Sequence, residues 1–354
     1  MINSFPFIAL VYIIFFQASY ALTVKENFNP NAYQSDHFKD GRFFNPSLKE
    51  SKGFFDFIKW QFTSDKKRWP DFVNAQPVNY KNEEIKKNTL KATFINHSTF
   101  LLELDGIVIL TDPIWSERAS PVSFAGPKRI QSPGLTYNQI KKIDVVLISH
   151  NHYDHLDLPS LKEINDRFHP KFFVGLGDKN LLEGEGVENV YELDWNQDFN
   201  LSENTKITFL KCRHWSARGI FDRFKSLWGA YLIEHQNLKV YFAGDTGYAE
   251  HFKEAKDKFN PIDLAILPIG AYEPRWFMKN FHMNPQDALN AAVDLSARVN
   301  LGMHLETFQL TDEGFEEPRQ ELMKLLKNDL YKKVKFEILN HGQSFYYDKE
   351  IIEQ

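Results

Sequence analysis

The ten residues Ile148–Asp157, ISHNHYDHLD, hold three histidines and two aspartates directly after the apolar run Val145-Val146-Leu147-Ile148. His150 and His152, at i and i+2 of an extended segment, can point to one side. Asp154 and His155 then turn toward a second position about one ion diameter away. A polar loop with solvated histidines explains any one of these residues, but the spacing argues against it for the group. Further along, His214, Asp245 and His304 each close an apolar, strand-like stretch: KITFLKCRH, NLKVYFAGD and VNLGMH. Imidazole nitrogens and carboxylate oxygens without thiolates suit Zn²⁺, and Fe or Mn can be held by the same set. Cys212, two residues before His214, is read as core filler in an alternating strand, with a ligand role as the alternative.

The elements that must position these groups are legible from pattern. KATFINHSTFLLELDGIVILTDP reads as two or three strands joined by the turn signal Asp105-Gly106. DVVLISH reads as a buried strand, and Asp157-Leu158-Pro159 as a helix start, with Asp as cap and Pro in the first turn. DLAILPIG adds another apolar strand. NPQDALNAAVDL has Asn284 as cap, Pro285 in the first turn and Asp287 near the positive end, so a helix is expected. His150, His214, Asp245 and His304 thus each terminate a predicted strand, where ligands of layered α/β folds collect.

The chain has 354 residues, 43% hydrophobic and 25% charged, which describes an ordinary globular chain with room for a large core. A formal net charge of -5 and no long basic stripe disfavour nucleic acid as a partner. One cysteine forbids an intrachain disulfide. The apolar run Phe5 to Phe16, followed by small Ser19 and Ala21, reads as a secretory signal peptide over 1–21, cleaved after Ala21. The expectation is therefore export to a periplasmic or membrane-associated location, with an uncleaved anchor as the alternative because no Lys or Arg precedes the run. Residues 22–88 read as an aromatic-rich N-terminal extension, and 89–354 as the main domain that would carry any catalytic site. Within the extension, GFFDFIKWQF is read two ways. It is a short amphipathic helix offering Phe54, Phe55 and Trp60 to a lipid surface, or an aromatic face packed on the main domain.

The motif H-x-H-x-D-H, as His150-Asn151-His152-Tyr153-Asp154-His155, resembles the signature of the metallo-β-lactamase superfamily. The later His214, Asp245 in GDTGY, and His304 resemble the remaining ligands of its dinuclear enzymes. More narrowly, HSTFLLELDGIVILTDPIWSERASPVSFAGPKR and VVLISHNHYDHLDLPSL resemble the branch containing N-acyl-phosphatidylethanolamine-hydrolysing phospholipase D and related bacterial metal-dependent hydrolases. The resemblance spans roughly Ser35 to Gly342. It implies an α/β fold of the four-layer αβ/βα type, two mixed sheets flanked by helices. It also implies two zinc ions, one held by His150, His152 and His214, the second by Asp154, His155 and His304, with Asp245 bridging. Seven ligands exceed the four or so that one ion needs. Asp112 matches a family position near the site, where a carboxylate orients a ligand imidazole; a turn residue before Pro113 is the equal alternative. His282 in NFHMNP matches a histidine placed near the reacting phosphate, and the helix capped by Asn284 would aim its N-terminus the same way. His97, though it matches a family position, is assigned a structural role, and His169, His235, His251 and His341 are left outside the site.

The implied chemistry is hydrolysis. Two zinc ions sharing a water lower its pKa from about 15.7 toward roughly 7, and the same ions clamp the oxygens of an in-line phosphoryl displacement. Asp154 would accept the water proton, and His282 would stabilise developing charge or protonate the leaving oxygen. The first expectation is a phospholipase D-type phosphodiesterase acting on a phospholipid, with peripheral membrane contact. Alternatives are a lactonase or other small-molecule hydrolase, a nuclease disfavoured by charge, and a non-catalytic lipid-binding protein retaining its metal site.

Overall fold

The computed structural model describes residues 33–46, 48, 52–74 and 80–352, so the expected signal peptide lies outside the described residues. A short hairpin, β1 (Phe38–Lys39) and β2 (Arg42–Phe43), and helix α1 (Phe54–Thr63) precede the layered domain. The stretch 89–111 gives three strands: β3 (Thr89–Asn96), β4 (Thr99–Leu104) and β5 (Ile107–Thr111), with Gly106 at φ +78° in the expected turn. β6 (Val145–Leu147), β7 (Lys171–Gly175) and β8 (Val190–Leu193) follow. Helices α2 (Leu158–Phe168) and α3 (Lys179–Gly184) lie between them in sequence.

A second run holds β9 (Asp198–Ser202), β10 (Thr205–Leu210), β11 (Ala230–His235), β12 (Leu238–Phe242), β13 (Leu264–Pro268), β14 (Val299–Met303) and β15 (Phe336–Glu337). Helices α4 (His251–Phe259), α5 (Arg275–Met278), α6 (Pro285–Leu295) and α7 (Glu317–Leu325) are interspersed. The last strand, β16 (Ser344–Asp348), returns to the first sheet. The orders are β16-β3-β4-β5-β6-β7-β8 and β15-β14-β13-β12-β11-β10-β9. Each sheet has three antiparallel and three parallel pairings. This is the αβ/βα sandwich of two mixed sheets flanked by helices.

Period-two alternation builds the layers. On β7, Phe173 enters the core shared with Ile207, Phe209 and Tyr231 of the second sheet, while Phe172 and Val174 face Leu161 and Ile164 of α2 and Leu182 of α3. On β6, Val145 and Leu147 take the inner side and Val146 the outer. α2 buries Leu161, Ile164 and Asn165, the i, i+3, i+4 stripe of an amphipathic helix. Its first residues follow the expectation in part: Asp157 is the N-cap and Pro159 sits in the first turn, but the carboxylate makes no capping bond. The hydroxyls of Ser116 (2.8 Å) and Ser160 donate to it instead. α6 begins as expected, with Asn284 Oδ1 accepting from Asp287 N at 2.9 Å.

The described part of the extension packs on the domain. Phe43 joins the main core. Trp60 is buried, stacks on Phe277 of α5 at 5.2 Å and donates from Nε1 to Asp312. Trp69 Nε1 donates to Glu313 O at 2.8 Å. The lipid-facing reading is therefore corrected for Trp60, whose indole faces inward because Asp312 satisfies its N–H there. Phe55 points outward; the Phe54 side chain is not among those described. No helix of the described residues is long and apolar enough to cross a membrane.

Candidate metal centre

The chemistry-bearing residues arrive at one edge of the two sheets just beyond strand ends. His150 lies three residues past β6, His214 four past β10, Asp245 three past β12, and His304 directly after β14. The short loop after β6 supplies four donors because its backbone turns back at once, His155 N and Leu156 N both donating to His152 O.

Two donor sets result. In the first, His150 Nε2 lies 2.8 Å and His214 Nε2 3.2 Å from His152 Nδ1. In the second, Asp154 Oδ2 lies 3.3 Å from both His155 Nε2 and His304 Nε2. Asp245 Oδ2 stands between the sets, 3.2 Å from His155 Nε2, 3.0 Å from His304 Nε2 and 3.9 Å from His214 Nε2. All seven residues named from sequence as ligands are thus brought together.

Neighbouring groups fix which nitrogen faces the centre. His214 Nδ1 donates to Phe281 O at 3.0 Å, and His155 Nδ1 to Asp112 Oδ2 at 2.7 Å, leaving each Nε2 lone pair directed inward. Asp112, fully buried at φ +33°, also accepts from Ser149 N (2.7 Å) and Ser149 Oγ (2.6 Å). Ser149 Oγ in turn is 2.9 Å from His150 Nδ1. One carboxylate therefore orients an imidazole in each set, directly in one and through a hydroxyl in the other.

The donors fit a divalent ion. His155 Nε2, His304 Nε2 and Asp245 Oδ1 are buried without a hydrogen-bond partner, an arrangement that costs free energy unless a ligand satisfies it. A tetrahedral ion with bonds of about 2.0–2.1 Å holds its ligand atoms roughly 3.3 Å apart, close to the spacings above. Burial, reinforced by neighbouring imidazoles, keeps His150 and His214 well below the usual histidine range. Burial likewise pushes His152 down to about 3. These three stay neutral, as ligands must be. Burial alone would also lower His155 and His304, yet the Asp245 and Asp154 carboxylates reverse the sign. His155 is held well above the usual range and His304 at about 9. Without an ion those carboxylates hold protons on the two imidazoles, and a bound cation would take their place.

His282 sits beside the sets rather than in them. Its Nδ1 is 3.7 Å from Asp245 Oδ2, unpartnered, and its side chain stays partly exposed. Burial pushes it down to about 4, so it is neutral at pH 7. Arg275 Nη1 donates to His282 O at 3.0 Å and the same guanidinium pairs with Asp287, locking this loop onto α6. The expected helix-end anion site is partly closed, since Asn284 already takes the Asp287 amide.

His97, given a structural role from the sequence, stands beside the second set. It occupies the turn between β3 and β4 at φ +47°, its Nε2 lies 3.0 Å from Asp154 Oδ2, and its ring packs 4.0 Å from that of His304. It braces Asp154 and His304 at the second set, which gives its structural role a place. Cys212 is buried core, its thiol donating to the Asp245 backbone carbonyl at 3.4 Å. His169 closes α2 in a left-handed conformation. His235 pairs with Thr205, His251 with Thr246 and His341 with Ser132, none of them a donor-set residue.

Residues 108–305 match the family model described as a beta-lactamase superfamily domain. An N-acyl-phosphatidylethanolamine-hydrolyzing phospholipase D of Caenorhabditis elegans is 39% identical over 249 residues, 67% of this chain and 70% of that protein. A mitochondrial N-acyl-phosphatidylethanolamine-hydrolyzing phospholipase D of Saccharomyces cerevisiae is 37% identical over 252 residues, 70% of this chain and 54% of that protein. Among solved structures, a metallo hydrolase from the archaeon Ignicoccus hospitalis superposes with a TM-score of 0.55 at 24% identity, covering 73% of this chain and 98% of that one. An isothiocyanate hydrolase from Delia radicum gut bacteria gives 0.58 at 18% identity over 73% and 99%, a likeness of fold alone. The chain belongs to the metallo-β-lactamase superfamily and is a metal-dependent hydrolase of that fold.

Proposed function

We propose that the protein is a dinuclear zinc phosphodiesterase of phospholipase D type, cleaving N-acyl-phosphatidylethanolamine to phosphatidic acid and an N-acylethanolamine. The observation that carries the reading is Asp245 Oδ2, seated within 3.0–3.9 Å of nitrogens from both donor sets. Its position supports two adjacent ions, one on His150, His152 and His214, the other on Asp154, His155 and His304. Bound there, such ions would supply Lewis acidity to a water and to the oxygens around a phosphorus centre. Asp154, kept ionised because surrounding imidazoles outweigh the effect of its burial, orients the attacking water and accepts its proton. His282, neutral and with Nδ1 unengaged, donates a hydrogen bond to the charge developing on a phosphoryl or leaving oxygen. The new bond joins the water oxygen to phosphorus, the bond to the ethanolamine oxygen breaks, and the water proton ends on that oxygen. The names of the worm and yeast relatives support the choice of substrate. We further propose export with cleavage after Ala21, which mass spectrometry of the exported chain tests directly.

Hydrolysis of N-acyl-phosphatidylethanolamine in ¹⁸O-labelled water tests the bond assignment. Label should enter phosphatidic acid. Label in the N-acylethanolamine or in a released fatty acid would mean attack at carbon and would overturn the phosphodiesterase reading in favour of an esterase or lactonase.

A further inference from the structure

Within the loop 150–156, which gives four of the seven donors, His155 N and Leu156 N both donate to His152 O. The carbonyls of Asn151 and Leu156, two buried residues toward its ends, need partners of their own. One atom meets both. Arg218 Nη1 donates to Asn151 O at 2.9 Å and to Leu156 O at 2.8 Å. Asn151 stands between the first-set residues His150 and His152, and Leu156 directly follows His155 of the second set. A single guanidinium nitrogen therefore spans the segment that feeds both sets. Hydrogen bonds from a charged donor are roughly twice as strong as neutral ones.

The same side chain grips the loop at its middle. Its guanidinium lies 3.9 Å from the centroid of the Tyr153 ring, and Tyr153 OH donates to Arg218 O at 2.9 Å. Tyr153 is the residue between His152 and Asp154. Beside it, Asn151 Nδ2 donates to Ser226 Oγ at 2.6 Å and to the buried Asp178 at 2.9 Å.

Arg218 is itself fixed. The Asp222 carboxylate accepts from Arg218 N at 3.1 Å and Gly219 N at 2.8 Å. Ser216 closes the base of this second loop, its carbonyl accepting from Phe224 N at 2.8 Å and its Oγ donating to Ser226 O at 2.5 Å. The loop 216–226 begins two residues after His214. Arg218 thus connects the segment that carries His214 to the segment that carries His150, His152, Asp154 and His155.

We infer that Arg218 is a positioning residue for the metal centre: it belongs to neither donor set, and it holds the donors of 150–155 at their spacing against His214 by clamping Asn151 O, Leu156 O and Tyr153. The inference rests on the dinuclear reading above and not on its choice of substrate. Donors that sit about 3.3 Å apart before an ion arrives need little rearrangement to bind it. Without the clamp the loop would have to be ordered at the moment of binding, and that cost would appear as lost affinity. A lysine can donate to both carbonyls but cannot lie flat on the Tyr153 ring, and a methionine can donate to neither.

The test uses the full chain, stripped of metal by a chelator and titrated with Co²⁺. Competition against a chromogenic chelator gives the affinities, and visible absorption of bound Co²⁺ reports the geometry of its ligands. Arg218→Met should lower affinity about tenfold or more at both sites, the scale for loss of an orienting partner, and alter the absorption spectrum. Arg218→Lys should recover part of that loss. Asp222→Ala, which frees the Arg218 backbone, should weaken binding in the same direction by less. Melting of the metal-free chain separates this role from simple support of the fold: a lower melting temperature with Co²⁺ affinity and spectrum unchanged would overturn the inference. So would a loss confined to one site, or Arg218→Lys binding no better than Arg218→Met. If Arg218→Met fails to fold, Arg218→Lys and Asp222→Ala carry the test, and unchanged affinity in both would overturn it. Fewer than two Co²⁺ bound by the unsubstituted chain would sink the dinuclear reading, while the comparison among variants would still decide the role of Arg218 at the ion that binds.

Discussion

Replacing Asp112 by Asn should loosen both metal sites at once, although Asp112 belongs to neither donor set. The buried carboxylate accepts three short bonds, from Ser149 N, Ser149 Oγ and His155 Nδ1, the last two converging on Oδ2. An amide cannot reproduce this. If its NH₂ takes the Oδ2 place it meets two donors, and if flipped it meets the Ser149 amide. His155 then loses the partner that fixes its tautomer, and Ser149 loses the acceptor that aims its hydroxyl at His150. Losing an orienting partner of this kind costs roughly 10–100-fold in metal affinity, or about 1.4–2.7 kcal/mol per site. Ser149→Ala provides the contrast, because it should weaken the His150 set and spare the bond between Asp112 and His155. Competition titration against a chromogenic chelator resolves the two affinities. If Asp112→Asn binds both ions within about twofold of the original chain, the orienting role argued from these bonds is wrong.

Asp245→Ala should lower the bound metal below two ions per chain at saturating zinc, since the lost oxygen serves both sets; full occupancy by elemental analysis would show that no bridge exists. His282→Ala should reduce kcat by about 100-fold, the usual scale for a lost donor to developing charge, while zinc content stays unchanged. Co-loss of metal would place His282 among the ligands instead. His341 is buried and held down to about 4 by loss of hydration. Its folded-state pKa lies below the unfolded value near 6.5, so the unfolded chain takes up the proton first as pH falls. The stabilisation is fully present above pH 6.5 and disappears as pH falls toward 4, up to roughly 3 kcal/mol. Thermal unfolding of the metal-free protein between pH 7 and 4 should therefore steepen less with pH for His341→Asn, and parallel curves would refute the assignment.

Much of the centre was legible because its residues are tied to local sequence. Apolar runs ending in His or Asp delivered their side chains to one edge of the sandwich, and Asn284 capped α6 as its type and place require. What escaped depended on contacts distant in sequence. His97 reaches Asp154 across 57 residues through a tight turn, and no spacing rule announces it. Asp112 reads equally as a turn residue until Ser149 and His155 are seen around it. Asp157 lost its capping role to the hydroxyls of Ser116 and Ser160. Trp60 looked able to serve lipid until Asp312, 252 residues away, met its indole N–H.

The pairing of β16 with β3 has a consequence for how the chain is made. Asp348 lies opposite Thr89 in that ladder, so one edge of β3 has no strand to meet until roughly 250 further residues have been synthesised. At about 5–20 residues per second this leaves the edge open for some 12 to 50 s on the ribosome. An open, apolar strand edge is a template for wrong pairing with another nascent chain. A chain that stops before Ser344 should thus lose more yield than its few missing strand residues suggest, because β3 is left without the strand that covers its edge.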